Sequence, residues 1–363
     1  MTAVTRADVE TALKGYVDPY LEQDLIAAKC VKGIRIEGTR VEVDLELGFP
    51  AAGYRDTLMA TLRERLVALP GITDSGIKID SKIVSHEVQK GLKPLPGVKN
   101  IIAVASGKGG VGKSTTAVNL ALALQAEGAV VGLLDADIYG PSQPRMLGAT
   151  ARPQSPDGKS LNPVVSHGIQ SMSIGYLIEE DTPMVWRGPM VTQALEQLLR
   201  DTRWQELDYL VIDLPPGTGD TQLTLSQKVP VSGAIIVTTP QDIALLDARR
   251  GLKMFEKVEV PVLGIVENMS THICSQCGHE EHIFGEGGGQ RMAEQYKVPF
   301  LGSLPLDIRI RAETDSGQPT VIAEPDSRIA GLYREIARRA AAWLSRQAKN
   351  YSHKFPNIVI QNT

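Results

Sequence analysis

Residues Gly107-Lys-Gly-Gly-Val-Gly-Lys-Ser114, followed by Thr115, carry the spacing G-x-x-x-x-G-K-[ST] of a phosphate-binding loop. Glycines at this density let the successive peptide N–H groups of Gly107, Lys108, Gly109, Gly110, Val111 and Gly112 turn inward around phosphate oxygens, and the helix that follows adds its partial positive charge. In that pattern Lys113 reaches the β- and γ-phosphates and the Ser114 hydroxyl ligates Mg2+. Two apolar runs end in carboxylates, Leu134-Asp-Ala-Asp137 and Tyr209-Leu-Val-Ile-Asp213. A strand that ends in Asp delivers it to the carboxyl edge of a parallel sheet, where ligands of such folds bind. Asp213 is expected to hold the Mg2+ water shell, and Gly217, four residues on, to offer a backbone N–H to the γ-phosphate. No N-K-x-D run for guanine recognition is present, which favours ATP.

The second constellation is Cys274-Ser-Gln-Cys277, with His279 and His282 close behind. Two thiolates three residues apart grip one soft metal, or two corners of an iron–sulfur cluster, and a [4Fe-4S] cluster generally needs four. One chain supplies two, so the cluster reading requires a second copy of the chain. A Cys2His2 zinc site within one chain, a redox pair and two merely buried cysteines are the competing readings. Cys30 stands alone before a strand and reads as a small buried residue.

These groups need a scaffold, and the hydrophobic pattern supplies an α/β one. Short apolar runs at 101–105, 130–134, 209–212, 234–238, 262–266 and 300–304 alternate with helical segments, as expected of strands buried on both faces of a mostly parallel sheet flanked by helices. Ahead of this P-loop NTPase domain (99–346), residues 1–88 read as a small α+β domain. It contains a helix over 5–17, a hairpin over 31–37 and 40–47 turning at Gly38, a helix over 53–69 with Leu58, Leu62, Leu66 and Val67 on one face, and a strand over 77–84. Two prolines and two glycines between Gly91 and Gly97 mark residues 89–98 as a linker. The helix over 327–346 is amphipathic; Arg334, Arg338 and Arg339 form its basic face, expected to be solvated, with a membrane-surface role as the alternative. Residues 347–363 read as a loosely held tail.

Composition excludes several classes. Across 363 residues, 38 Lys and Arg against 42 Asp and Glu give a net charge of −4, which provides no field for sequence-independent nucleic-acid or anionic-membrane binding. No apolar run spans a bilayer and the N-terminus lacks a secretory h-region, so a cytoplasmic protein is expected. Three cysteines in this length do not make a disulfide framework.

The extra lysine, Lys108, gives the loop the form K-G-G-x-G-K-[ST], which resembles the deviant P-loop ATPases of the MinD, ParA and nitrogenase-iron-protein class. The resemblance implies a nucleotide-sandwich homodimer in which Lys108 reaches the partner's nucleotide. It also implies that Asp137 positions the attacking water, that Asp135 lies nearer Mg2+, and that Asn268, at the end of the 262–266 run, contacts adenine. Together with Trp186-Arg-Gly-Pro189, Cys274 with Cys277, and Phe284-Gly-Glu-Gly-Gly-Gly289, these residues resemble the Mrp-type iron–sulfur cluster carriers. Asp18-Pro-Tyr-Leu-Glu-Gln-Asp24 is similar to the D-P-E-x-x-x-D pattern of MIP18-like domains, with Tyr20 in place of the usual Glu. That family implies slow ATP hydrolysis coupled to a [4Fe-4S] cluster bridging the homodimer, and cluster transfer to apoproteins, with cluster scaffold proteins as further partners. A MinD- or ParA-like positioning or scaffold ATPase, with zinc or no metal at the cysteines, is the alternative.

Overall fold

The computed structural model describes residues 4–178, 188–274 and 276–349. Trp186 and Arg187 of the Trp-Arg-Gly-Pro segment, and the tail beyond Lys349, lie outside them.

The first helix, Arg6–Lys14, starts where Thr5 and Asp8 satisfy each other's backbone N–H groups in a capping box. Strands Val31–Glu37 and Arg40–Leu47 have the bounds their alternation predicts, and Gly38 makes the turn at φ 60°. Val41, Val43, Leu45 and Leu47 point into the core. Helix Arg55–Val67 buries Leu58, Leu62 and Leu66 and returns the chain to a third strand, Asp74–Ser81, parallel to Arg40–Leu47. Val67, expected on the buried face, is 39% exposed. It lies nine residues beyond Leu58, which at 3.6 residues per turn is half a turn away from that stripe.

The larger domain is one eight-stranded sheet. In spatial order its strands are Phe300–Ser303, Val262–Glu267, Gly233–Thr238, Val98–Ala105, Leu207–Asp213, Val131–Asp135, Ile169–Ser173 and Val164–Ser166. All neighbours are parallel except the last pair, which closes the edge as a hairpin. That hairpin is absent from the sequence reading, because Val164 to Ser173 is short and mixes polar with apolar residues. Alternate residues of the strand Val98–Ala105 enter different clusters. Ile102 and Val104 pack towards helices Lys113–Ala126 and Arg328–Ser345, while Ile101, Ala103 and Ala105 pack with residues of helices Gly188–Asp201 and Asp242–Lys257. Burial on both faces is what made these runs continuously apolar.

The two domains share one hydrophobic cluster, running from Val9 and Leu13 through Phe49 and Leu62 to Ala117, Tyr333 and Leu344. The linker segment is itself packed. The buried Gln89 amide donates to the Ser226 carbonyl at 2.8 Å, and His86 hydrogen-bonds Asn100 at 2.9 Å.

At the centre of the junction is Glu127, fully buried at the C-terminal end of helix Lys113–Ala126. Its carboxylate accepts from Gly53 N at 2.8 Å, Arg334 Nε at 2.8 Å and Arg338 Nη1 at 2.7 Å. Arg338 also donates to the Tyr20 hydroxyl at 2.9 Å and lies 5.2 Å above that ring. Tyr20, the departure from the MIP18-like pattern, is therefore an interdomain contact. These pairs correct the expectation of a solvated basic face on the last helix. Arg334 and Arg338 are held by Glu127 at the domain junction, Arg338 also by Tyr20 of the first domain, while Arg339 stays half-exposed and pairs with Glu335; among the described residues no helix is long and apolar enough to cross a membrane.

Glu127→Ala leaves two partly buried guanidinium groups without their shared anion, and is expected to cost about 3–5 kcal/mol. Denaturant unfolding of the full chain checks this. An unchanged midpoint would mean that the triad contributes nothing in solution.

Candidate functional site

The strand Val98–Ala105 sits mid-sheet between Leu207–Asp213 and Gly233–Thr238, so the loop that leaves it opens where strand order reverses. Gly107 is required by packing: a Cβ there would lie 2.1 Å from the Asp247 carbonyl carbon. Gly110 and Gly112 hold φ of 79° and 80°, conformations that cost a side-chain-bearing residue, and Gly112 caps helix Lys113–Ala126.

Lys113 is buried; its ammonium is held by the Asp213 carboxylate and lies 3.2 Å from Ser114 Oγ. The structure thus gathers Lys113, Ser114 and Asp213, three residues that the sequence selected separately. Asp213 is the register partner of Asp135 on the adjacent strand, and both are buried. Burial first, and the Asp213 charge second, hold Asp135 well above the usual carboxylate range. Asp135 is also occupied. It accepts from Asp137 N at 3.2 Å, Ser142 N at 3.0 Å, Gln143 N at 3.1 Å and Ser173 Oγ at 3.0 Å, and so shapes the whole 137–143 segment. Asp137 is half-buried above it; burial raises its pKa, while the charge of Lys113 opposes that rise.

Two expectations change in detail. The Gly217 N–H, expected to face a phosphate, donates to the Ser106 carbonyl at 3.0 Å and fixes the root of the loop instead. Asn268 is 8% exposed and its Nδ2 donates to the Val111 carbonyl at 2.9 Å, so its amide N–H faces the loop backbone. Thr115 is half-buried in the first helical turn. Lys108 is half-buried and has no carboxylate partner among the described residues. The sequence reading missed Gln143, which in Ser-Gln-Pro looks like an ordinary turn residue.

Asn268 also ends the strand that leads to the cysteines. Two residues per strand, His272–Ile273 and Glu280–Glu281, pair as a hairpin whose tip carries Cys274 and Cys277. Cys274 N donates to His279 O at 2.9 Å, Gly278 N to Cys274 O at 2.8 Å, and Gly278 turns the chain at φ 72°. Cys274 is half-buried and Cys277 exposed. Hydrogen bonding by the Gln276 backbone, then by Cys277, holds the Cys274 thiol below its ordinary pKa, which favours the thiolate that binds metal. His282 is turned to the Ser270 carbonyl at 2.8 Å. Among the described residues no three His, Cys, Asp or Glu side chains gather as a metal site, so a single-chain Cys2His2 set is not assembled. Cys30 is buried and burial pushes its thiol up to about 11, in keeping with its reading as a small core residue.

Residues 97–341 match the family described as NUBPL iron-transfer P-loop NTPase. The chain belongs to this family. Residues 6–79 of this NUBPL-type NTPase match a second family, described as iron–sulfur cluster assembly protein. An iron–sulfur cluster carrier protein of Escherichia coli K12 is 53% identical over 340 residues, covering 93% of this chain and 92% of the relative. The mouse iron–sulfur cluster transfer protein NUBPL is 54% identical over 259 residues, covering 71% of this chain and 81% of the relative. Among solved structures, a nucleotide-binding protein from Archaeoglobus fulgidus in complex with ADP is 37% identical, with a TM-score of 0.55, covering 64% of this chain and 90% of that one.

Proposed function

We propose that this NTPase is an iron–sulfur cluster carrier that binds and slowly hydrolyses ATP, holds a [4Fe-4S] cluster between two copies of itself, and hands it to apoproteins. The observation that carries the reading is the link between the two sites. Asn268 touches the phosphate loop at Val111, and six residues later Cys274 opens an exposed hairpin with a pair of thiols at its tip. Two thiolates per chain supply four when two hairpins meet across a two-fold axis.

The nucleotide end is built from the chain's own groups. Backbone N–H groups of residues 107–112 bind phosphate, and Lys113 moves from Asp213 to the phosphates when they arrive. The donor set suits magnesium: Ser114 Oγ and Asp213 are hard oxygens, and Ser142 Oγ and Gln143 Oε1 are buried nearby without partners. Ser114 and Asp213 would hold the ion, with Asp135, which fixes the 137–143 segment, beside them. The ion would offset charge on the phosphates. Asp137, beside Lys113, is placed to orient a water, and Asn268 to meet the base through the rest of its amide.

A second copy is supported by apolar side chains left exposed on the nucleotide face: Tyr139 at 57% on the segment that Asp135 shapes, and Ile243 at 65% and Leu246 at 49% on the helix whose Asp247 packs on Gly107. Lys108 then acts on the partner's nucleotide. Lys108→Ala is expected to keep nucleotide affinity and to lose hydrolysis on the order of 10^3-fold. Retained hydrolysis would remove Lys108 from the mechanism. The cargo places the protein in a compartment that keeps thiols reduced, such as the cytoplasm.

Anaerobic reconstitution with iron and sulfide tests the whole reading. About four irons per dimer are expected. One zinc per chain, or no metal, would turn the reading towards a positioning or scaffold ATPase.

A further inference from the structure

Gln143 is the first residue of the short helix Gln143–Met146 that follows the Asp135–Ser142 segment, and it is 1% exposed. Its side-chain nitrogen spends both hydrogens on different parts of the nucleotide site: Nε2 donates to Asp213 Oδ2 at 2.8 Å and to the Ser114 carbonyl at 3.1 Å. Its backbone N–H is bound by Asp135 at 3.1 Å. One residue thus ties the phosphate loop, the Asp213 strand and the segment that carries Asp137.

The orientation of the amide is not arbitrary. A carbonyl and a carboxylate only accept, so the nitrogen must face them and Oε1 is left on the other side. Oε1 is buried and has no partner, and neither has Ser142 Oγ on the adjacent residue. Buried acceptors of this kind are regularly satisfied in native proteins. A divalent ion held by Ser114 and Asp213 would provide such a donor, because water bound to a divalent ion donates strongly.

We propose that Gln143 is a positioning residue of the nucleotide site, holding Asp213 and Ser114 in register through its nitrogen and accepting from the magnesium water shell through Oε1. The inference rests on the reading of Ser114 and Asp213 as the magnesium site and extends it to a side chain that the phosphate-loop pattern does not include. Through the Gln143 backbone, occupancy of that site is felt by the segment that Asp135 organises.

The test is an equilibrium titration of the full chain with a fluorescent ADP analogue over a range of Mg2+ concentrations, with thermal unfolding alongside. Gln143→Met keeps the size of the side chain and removes every polar contact. It is expected to raise the Mg2+ midpoint about 10-fold, the scale of lost outer-shell partners, and to change Mg2+-free ADP affinity by less than that. Gln143→Asn keeps both amide groups but is one carbon too short for them to reach their partners together, and is expected to raise the midpoint by a smaller factor than Gln143→Met. A lowered melting temperature in Gln143→Met with an unshifted midpoint would reduce Gln143 to a structural buttress and overturn the proposal. If Gln143→Met does not fold, Gln143→Asn decides alone: a raised midpoint supports the proposal and an unshifted one overturns it. A wild type whose ADP affinity ignores Mg2+ would overturn the magnesium-site reading itself, a different failure from an unshifted variant.

Discussion

Lys113→Ala is expected to lower ATP hydrolysis on the order of 10^3-fold, because it removes the one ammonium group buried at the phosphate loop, where charge in the transition state is best stabilised. The structure adds a second effect that the loop pattern alone does not contain. Lys113 is the counter-ion of Asp213, a fully buried carboxylate with a second buried carboxylate, Asp135, as its register partner. Without Lys113, Asp213 keeps only the Gln143 amide, and the variant is expected to lose about 3–5 kcal/mol of stability. Lys113→Ala combined with Asp213→Asn removes both charges and should recover much of that loss while staying inactive. Steady-state hydrolysis and denaturant unfolding of the three proteins separate the two roles. Wild-type turnover in Lys113→Ala would refute the catalytic assignment; a fully stable single variant would show that the ion pair does not form in solution.

The second large effect is at the hairpin tip. Cys274→Ala with Cys277→Ala should abolish cluster retention completely after anaerobic reconstitution. Half-buried Cys274 and exposed Cys277 carry none of the hydrophobic core, so folding, nucleotide binding and hydrolysis should survive. Iron counting, visible absorbance and sizing read the outcome. A cluster retained by the double variant would place the cargo elsewhere on the chain. Loss of iron accompanied by loss of hydrolysis would show that the hairpin and the phosphate loop are more tightly joined than the Asn268 hydrogen bond to Val111 implies.

The sequence made the phosphate loop legible because all of its chemistry lies within nine consecutive residues, and the strands legible because burial on both faces leaves unbroken apolar runs. The C-x-x-C turn is local in the same way. Contacts across long separations were not legible. Glu127 meets Arg334 and Arg338 across 207 and 211 residues, and along the chain those arginines look like any solvated helix face. Gly217 was misread for a related reason: a glycine after an acidic strand end fits a phosphate donor, and only the fold shows its N–H spent on Ser106. Gln143 carried no signal, since its importance comes from two partners on other strands and loops.

Helix Lys113–Ala126 has 14 residues, so it is a rod about 21 Å long. One end carries the lysine and hydroxyl that meet the nucleotide; the other ends at Glu127, which is pinned to Gly53 of the first domain and to the last helix. With a common hydrophobic core along its flank, the first domain rides on this rod as part of a single frame and not on a leash. A recipient gripped by residues 6–79 would therefore be carried at a fixed distance and bearing from the phosphates, and a tilt of the rod at one end would appear as a displacement of the passenger at the other.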